Sequence, residues 1–187
     1  MEQYLRSFNL FSNDEIEKAL QAASYRKIGK GGFLIREEQV CKHVWFVQSG
    51  LFRSFYTNTT GEEITYCFAF ANTFITAYSS FLTQEKSVEN IHALSDAEVY
   101  AIPRETILQL EQSSTNWLRF SKLIAEQEYM KMEQRVFLLQ KENAENRYKD
   151  LLEKHPDYLQ QIPLQHLASY LGITQRHLSR IRRAITI

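Results

Sequence analysis

Gln175, Arg176, Ser179, Arg180, Arg182 and Arg183 crowd together near the C-terminus. A guanidinium can bond a guanine edge or a phosphate through two parallel N–H groups, and a glutamine amide can do the same with an adenine edge. Leu178, Ile181 and Ile185 recur among them at helical spacing. The polar set therefore points away from an apolar stripe on one helix, which Thr174 is placed to cap. Side chains presented in this way suit the edges of base pairs and phosphate oxygens. An amphipathic helix whose arginines are merely solvated shows the same pattern, so the surrounding sequence must decide between the two.

The elements that position these residues begin just upstream. Leu164, Leu167, Ala168 and Leu171 form another apolar stripe, on a short helix that Pro163 can start and Gly172 can end. Helix, tight turn, helix is the arrangement that holds a helix in the DNA major groove. Charge supports it. Four of the 22 basic residues, all arginine, lie after Asp157 and none of the 22 acidic ones does, so residues 1–157 hold 18 basic against 22 acidic. A neutral chain with one basic end is expected of a two-part protein that uses that end on nucleic acid.

A chain of 187 residues, 44% apolar and 24% charged, is long enough for one domain or two small ones. Its two cysteines, Cys41 and Cys67, sit in strand-like sequence and read as buried free thiols, because two cysteines cannot hold a zinc or iron–sulfur site unaided. The N-terminus has no basic region followed by an apolar segment, and no apolar run approaches membrane-spanning length. A soluble cytoplasmic protein without membrane contact is expected. His43, His92, His155, His166 and His177 show no paired ligand spacing with carboxylates, and no nucleophile motif occurs, so neither an enzyme nor a metal site is expected.

Ser12-Asn13-Asp14-Glu15 has the form of a capping box, and Ile16, Ala19, Leu20 and Ala23 follow at helical spacing, predicting a helix over residues 13–24 that Leu10 and Phe11 anchor. From Tyr25 the period shortens. Phe33-Leu34-Ile35, Val44 to Val47, Leu51 to Tyr56, and residues 64–70, 73–77, 87–93 and 97–102 are short β-branched or aromatic runs bounded by polar or Gly turns. Such spacing predicts an antiparallel sandwich or roll over residues 25–102. Pro103 suits the first turn of a brief helix with Ile107, Leu108 and Leu110 as its apolar positions. The sequence thus divides into residues 1–114, a connecting helix over 115–141 and a helical region over 142–187, an α+β architecture.

The connecting helix should be long, because neither Gly nor Pro occurs in residues 116–141. Trp117, Phe120, Leu123, Ile124, Met130 and Phe137 give it a broad apolar face, on which Leu123, Met130 and Phe137 are spaced by heptads. That face either packs on its own domain or joins two copies. A dimer is favoured because symmetric DNA sites are read by two copies of a two-helix unit. A further helix over residues 143–154, with Tyr148, Leu151 and Leu152 apolar, ends at His155-Pro156-Asp157.

This order resembles the Crp/Fnr family of bacterial transcription regulators across essentially the whole chain. The residues that carry it are Val44-Trp45-Phe46-Val47-Gln48-Ser49-Gly50-Leu51-Phe52-Arg53, the long helix, and Leu167-Ala168-Ser169-Tyr170-Leu171-Gly172-Ile173-Thr174 with Leu178-Ser179-Arg180-Ile181. The last group is the specific one; Tyr148, His155-Pro156 and Ile162-Pro163 look like the version found in Bacteroidetes-type bacteria. The resemblance implies a cyclic-nucleotide-binding-like β-roll (a double-stranded β-helix) with flanking helices as sensor, a dimerising helix and a DNA-binding helix-turn-helix, with RNA polymerase as a further contact. Only four residues follow Arg183 in the sequence, so either the two-stranded wing usual in the family is expected to be missing or the chain to be shortened.

The resemblance also places Thr76-Ala77 where cyclic-AMP-binding members carry a Gly-Glu pair for the ribose, and Lys86-Ser87 where they carry Arg-Ser or Arg-Thr for the phosphate. Ala77 has no side-chain acceptor and Lys86 lacks the guanidinium fork, so the expected effector is a small molecule or nucleotide other than cyclic AMP in the usual mode. Iron–sulfur sensing needs several N-terminal cysteines, and none precedes Cys41. His43 and His92 are the β-region histidines that haem could use, although a lone β-roll histidine is ordinarily structural.

Two functions follow. In the first, a homodimeric regulator inserts residues 174–183 into the major groove of each half-site. Gln175 and Arg176 approach base edges beside Thr174 and Ser179, Arg180 reads a base or phosphate, and Arg182 and Arg183 hold phosphates. Arg176 stands where family members often carry Glu, which implies a different half-site with guanine at that step. In the second, a small-molecule-binding β-roll uses its tail for protein contacts and has no DNA role. Steep salt dependence of DNA binding discriminates them.

Overall fold

Two helices open the chain in the computed structural model, which describes residues 1–185 apart from the side chains of Asp157 and Tyr158: α1 (Glu2–Ser7) and α2 (Asn13–Ala22). The capping box at Ser12 is formed, Ser12 Oγ accepting from the Glu15 N–H while the Glu15 carboxylate accepts from the Ser12 N–H at 2.8 Å. Helix α2 stops earlier than its periodicity predicts because Ser24 already pairs with Ala101 in a sheet. Helix α1 had no sequence signal of its own; its Leu5 is buried.

Eight strands follow: β1 (Ser24–Ile28), β2 (Phe33–Ile35), β3 (His43–Ser49), β4 (Phe52–Thr57), β5 (Glu63–Ala69), β6 (Thr73–Ile75), β7 (Asn90–Ala93) and β8 (Ala97–Pro103). They form two four-stranded sheets, in the orders β1-β8-β3-β6 and β2-β7-β4-β5. A short helix, α3 (Tyr78–Thr83), lies between β6 and β7, where the sequence reading saw only strand and turn. Helices α4 (Arg104–Ser113), α5 (Thr115–Lys141), α6 (Ala144–Lys154), α7 (Pro156–Gln161), α8 (Leu164–Tyr170) and α9 (Gln175–Ile185) complete the described residues. Helix α7 occupies a stretch expected to be a break, since Pro156 begins a new helix there. The α+β class with an antiparallel β-roll is as expected. Among the described residues no helix is long and apolar enough to cross a membrane.

The chain forms two compact units. One comprises Met1–Tyr56 with Phe68–Ala125; the other comprises Thr57–Cys67 and the chain from Glu126 onward. The first unit has two apolar layers, and its central strands serve both because successive side chains point to opposite faces. Trp45 and Val47 of β3, with Val99 and Ala101 of β8, join Phe52, Ile75 and Ile91 inside the roll. Phe46 and Ile102 turn the other way, onto Leu5, Ile16, Leu110, Trp117 and Phe120 of the helices. Between β3 and β4, Gly50 has φ +92°, and a Cβ there would lie 2.5 Å from that of Ala97. Only glycine permits that turn. Both cysteines are free thiols; Cys41 is buried as expected, whereas Cys67 is only half-buried.

Glu15 also ties α2 to the start of α5, accepting from Ser114 Oγ and, at 3.3 Å, from Asn116 Nδ2. Chiefly the Ser114 bond, then the Ser12 backbone, holds its carboxyl below the ordinary glutamate range. A group whose folded pKa is lowered contributes fully above its unfolded value, and that contribution is lost as pH falls through the folded one. Glu15→Ala is therefore expected to cost about 1 kcal/mol near neutrality, as for loss of a cap, and progressively less in acid. Urea melts across a pH series check this, and a cost that does not shrink on acidification contradicts it.

Candidate functional site

The second unit builds a platform for α9. Tyr148 and Leu151 of α6, Ile162, Leu167, Ala168 and Leu171 around α8, and Leu178 and Ile181 of α9 are all buried. The turn between α8 and α9 is made locally. Gly172, at φ +68°, takes the left-handed position that ends α8. The Ile173 N–H bonds to the Ala168 carbonyl and the Gly172 N–H to that of Ser169, both at 3.0 Å, which is the hydrogen-bond pattern of a Schellman motif. Thr174 then caps α9, its Oγ1 accepting from the His177 N–H at 3.2 Å.

At 3.6 residues per turn, Arg176, Arg180 and Arg183 fall in one line opposite buried Leu178 and Ile181. All three are exposed, as are Thr174, Gln175 and Arg182, while Ser179, within the arginine stripe, is half-buried. Gln175 and Arg182 lie at the edge of the polar face, about a quarter turn from its centre. The structure brings the seven sequence-predicted residues onto one helix surface and ranks them: the three-arginine line faces outward most directly. No Asp or Glu follows Asp157 in the sequence, so α8 and α9 add no acidic side chain beside that line.

The six residues expected on the dimer face of α5 separate. Trp117 and Phe120 are not available to a partner. Phe11 packs against both, with ring centroids at 4.4 and 5.3 Å, and Phe8 meets Phe120 at 5.0 Å. Ile124 is partly buried against the same core and Leu123 is half-buried. Met130 and Phe137 are exposed. A different set is more regular: Tyr129, Met132, Val136 and Leu139, exposed at 68, 41, 44 and 38%, continue at alternating spacings of four and three from half-buried Ala125. That alternation is the heptad seam of a coiled coil. It lies about a third of a turn from Met130 and Phe137. The spacing was legible in the sequence, but the apolar residues on both sides of it concealed it.

The expected effector positions are occupied by the protein's own groups. Thr76 Oγ1 donates to the His43 carbonyl at 2.9 Å and lies 3.2 Å from Cys41 Sγ; Ala77 is buried as the residue before α3. Lys86 Nζ is paired at 2.7 Å with Glu38, a hydrogen bond that raises the lysine pKa. Ser87 is buried, its Oγ donating to the Glu89 carbonyl at 2.8 Å and accepting the Glu89 N–H at 3.1 Å. Around α3, Gln84 Nε2 donates to the carbonyls of Cys41 and Phe81 at 3.1 and 2.9 Å, and Arg104 Nε to that of Phe81 at 2.9 Å. These positions lack the Gly-Glu and Arg side chains with which cyclic-AMP-binding members would hold the nucleotide. No side chain at Ala77 can accept from a ribose hydroxyl, and Lys86, paired with Glu38, offers a point charge without a guanidinium fork. His43 is partly buried, which lowers its pKa, and the His92 ring sits between Phe33 and Phe55 at 5.5 and 5.1 Å. Both serve packing.

Residues 25–114 match the family model of the cyclic nucleotide-binding domain. No curated protein matches the chain by sequence. Among solved structures, FixK2 from Bradyrhizobium japonicum is 16% identical with TM-score 0.78, covering 88% of this chain and 84% of that one. A protein from Eubacterium rectale assigned to the Crp/Fnr family of transcriptional regulators is 17% identical with TM-score 0.75, covering 98% and 88%. The c-di-GMP-responsive global regulator CLP from Xanthomonas campestris is 17% identical with TM-score 0.74, covering 94% and 92%. At these identities the likeness is one of fold. The chain therefore has the α+β, antiparallel β-roll fold of Crp/Fnr-like proteins, with residues 25–114 matching the cyclic nucleotide-binding domain.

Proposed function

We propose that the chain is a homodimeric, sequence-specific DNA-binding transcription regulator acting in the cytoplasm, whose β-roll senses an effector other than cyclic AMP in its usual mode. The observation that carries this reading is the exposed line of Arg176, Arg180 and Arg183 on a helix capped by Thr174 and seated by Leu178 and Ile181. Arg176 and Arg180 are assigned to base edges with Gln175, and Arg182 and Arg183 to phosphates. Two copies joined along Tyr129, Met132, Val136 and Leu139 would present two such helices to half-sites about 34–36 Å apart. The exposed seam supports that assembly, because it would otherwise leave a row of large apolar side chains in water.

The effector is a small molecule or nucleotide. Since CLP is described as responsive to c-di-GMP, cyclic dinucleotides belong beside mononucleotides among the candidates. Selection of bound sequences from random DNA, repeated with each candidate nucleotide, tests the reading. The expected result is a palindromic site whose affinity falls steeply with salt, as released counterions require. Binding without preference for sequence or dependence on salt would refute it.

A further inference from the structure

One histidine stands on α9 itself, among the arginines. At 3.6 residues per turn, His177 lies about a sixth of a turn round from Arg180, on the edge of the polar face opposite Gln175 and Arg182. Its backbone is pinned by the helix cap, since the His177 N–H is the donor to Thr174 Oγ1 at 3.2 Å. The residue is half-buried, and Ala184, about two turns on along the same edge, is small and exposed, so α9 leaves the outer side of the ring open. A residue in the first turn of a helix laid in the major groove stands within reach of the DNA backbone as well as of base edges.

On its own helix the charges around His177 are all cationic: Arg176, Arg180, Arg182 and Arg183. Helices α8 and α6 pack on α9. The titratable groups of α8 are His166 and Tyr170. Those of α6 are Glu145, Arg147, Tyr148, Lys149, Asp150, Glu153 and Lys154. Glu145 pairs with Lys149 at 2.7 Å and Asp150 with Lys154 at 2.5 Å, both within α6, and Glu153 is exposed.

We propose that His177 is a further DNA contact, its imidazolium donating a ring N–H to a phosphate oxygen, so that a bound duplex holds it protonated. The proposal rests on the reading of α9 as the DNA-facing helix and adds to it a residue and a pH dependence. Arginine keeps its charge at every pH of interest, whereas imidazole is the side chain whose charge changes near neutrality. A phosphate oxygen beside the ring favours the charged form, so binding takes up a proton there. The sign follows from that uptake. The affinity His177 contributes is complete at pH values below the pKa of the free ring and is lost as pH rises through that of the bound ring. The other imidazole after Asp157 supplies the control: His166 lies on the side of α8 away from its buried stripe of Leu167, Ala168 and Leu171, with its Nε2 3.4 Å from Gln165 Nε2.

Affinity for the selected duplex, measured between about pH 6 and pH 8 at several salt concentrations, tests the contact on the full chain and on His177→Gln, His177→Arg and His166→Gln. The parent is expected to bind about threefold or more tightly at the acid end. There its slope of log affinity against log salt should be steeper by up to about 0.9 per bound helix, for one added phosphate contact. His177→Gln should lose both differences and match the parent at the alkaline end. His177→Arg, with a permanent charge, should bind across the whole range as the parent does in acid, a rescue that a merely structural histidine would not give. His166→Gln should behave as the parent. The assignment is overturned if parental affinity is the same at both ends of the range, or if His177→Gln keeps the parental pH dependence. A parent that binds its duplex without pH dependence leaves the DNA reading standing and removes His177 alone, whereas a parent that binds no duplex at any pH removes both.

Discussion

Replacing Arg176 and Arg180 together by alanine is expected to weaken binding to the selected duplex by about 2–6 kcal/mol, the sum of two bidentate base contacts at about 1–3 kcal/mol each. Both side chains are exposed on the face of α9 opposite Leu178 and Ile181, so their removal opens no cavity and leaves folding stability near the parental value. The loss should depend on sequence. Discrimination against single base changes in the half-site should fall at the steps those arginines read, while non-specific affinity changes less. Arg183→Ala, at the far end of the same line, should instead weaken all duplexes alike and reduce the slope of affinity against salt by about one phosphate contact. Titrations over a range of salt, on selected and scrambled duplexes, separate the two behaviours. If the double variant retains full specificity, α9 is not the reading helix.

The second large effect lies in α5. Met132→Glu with Val136→Glu places charges at two successive positions of the exposed seam without weakening the helix, since Glu is a good helix former. In a dimer these carboxylates would be buried against their copies, so the expected result is a monomer by light scattering at concentrations where the parent is dimeric. Duplex affinity should then fall by about a hundredfold or more, because one head binds without the effective concentration supplied by the other. Met130→Glu with Phe137→Glu is the matched control. These residues are equally exposed but lie about a third of a turn from the seam, so the dimer should persist. The opposite pattern would restore the heptad set of Leu123, Met130 and Phe137 as the contact, and a monomeric parent would remove the dimer from the proposal.

The two predictions differ in how directly the sequence led to them. The arginine line needed only helical periodicity: once Leu178 and Ile181 face inward, the position of every other side chain on α9 follows. The seam on α5 could not be chosen that way. Apolar residues stand on nearly every side of that helix, and periodicity alone cannot say which side the protein's own core will take. Two aromatic rings between α1 and α2 decide it. Phe8 and Phe11 draw Trp117 and Phe120 inward. That leaves Tyr129, Met132, Val136 and Leu139 as the regular row in water. The effector positions show the same limit. Lys86 was a candidate phosphate ligand because the resemblance places it where cyclic-AMP-binding members carry Arg, yet Glu38, far away in sequence, is its partner.

The sequence by itself determined the features set by local backbone chemistry. These are the capping box at Ser12 and Glu15, the uninterrupted long helix, the Gly172 turn with its Thr174 cap, the short-strand rhythm of the roll and the arginine face of α9. Each depends on residues within a turn or two of one another, where propensity and hydrogen-bond geometry act without help from the rest of the fold. Only the tertiary structure decided which apolar residues of α5 are covered and that Lys86 pairs with Glu38. Those outcomes join residues 48 positions apart, or depend on which of several apolar faces a distant segment covers first. No local pattern encodes that choice, because it is made by competition among surfaces that come together only when the chain folds.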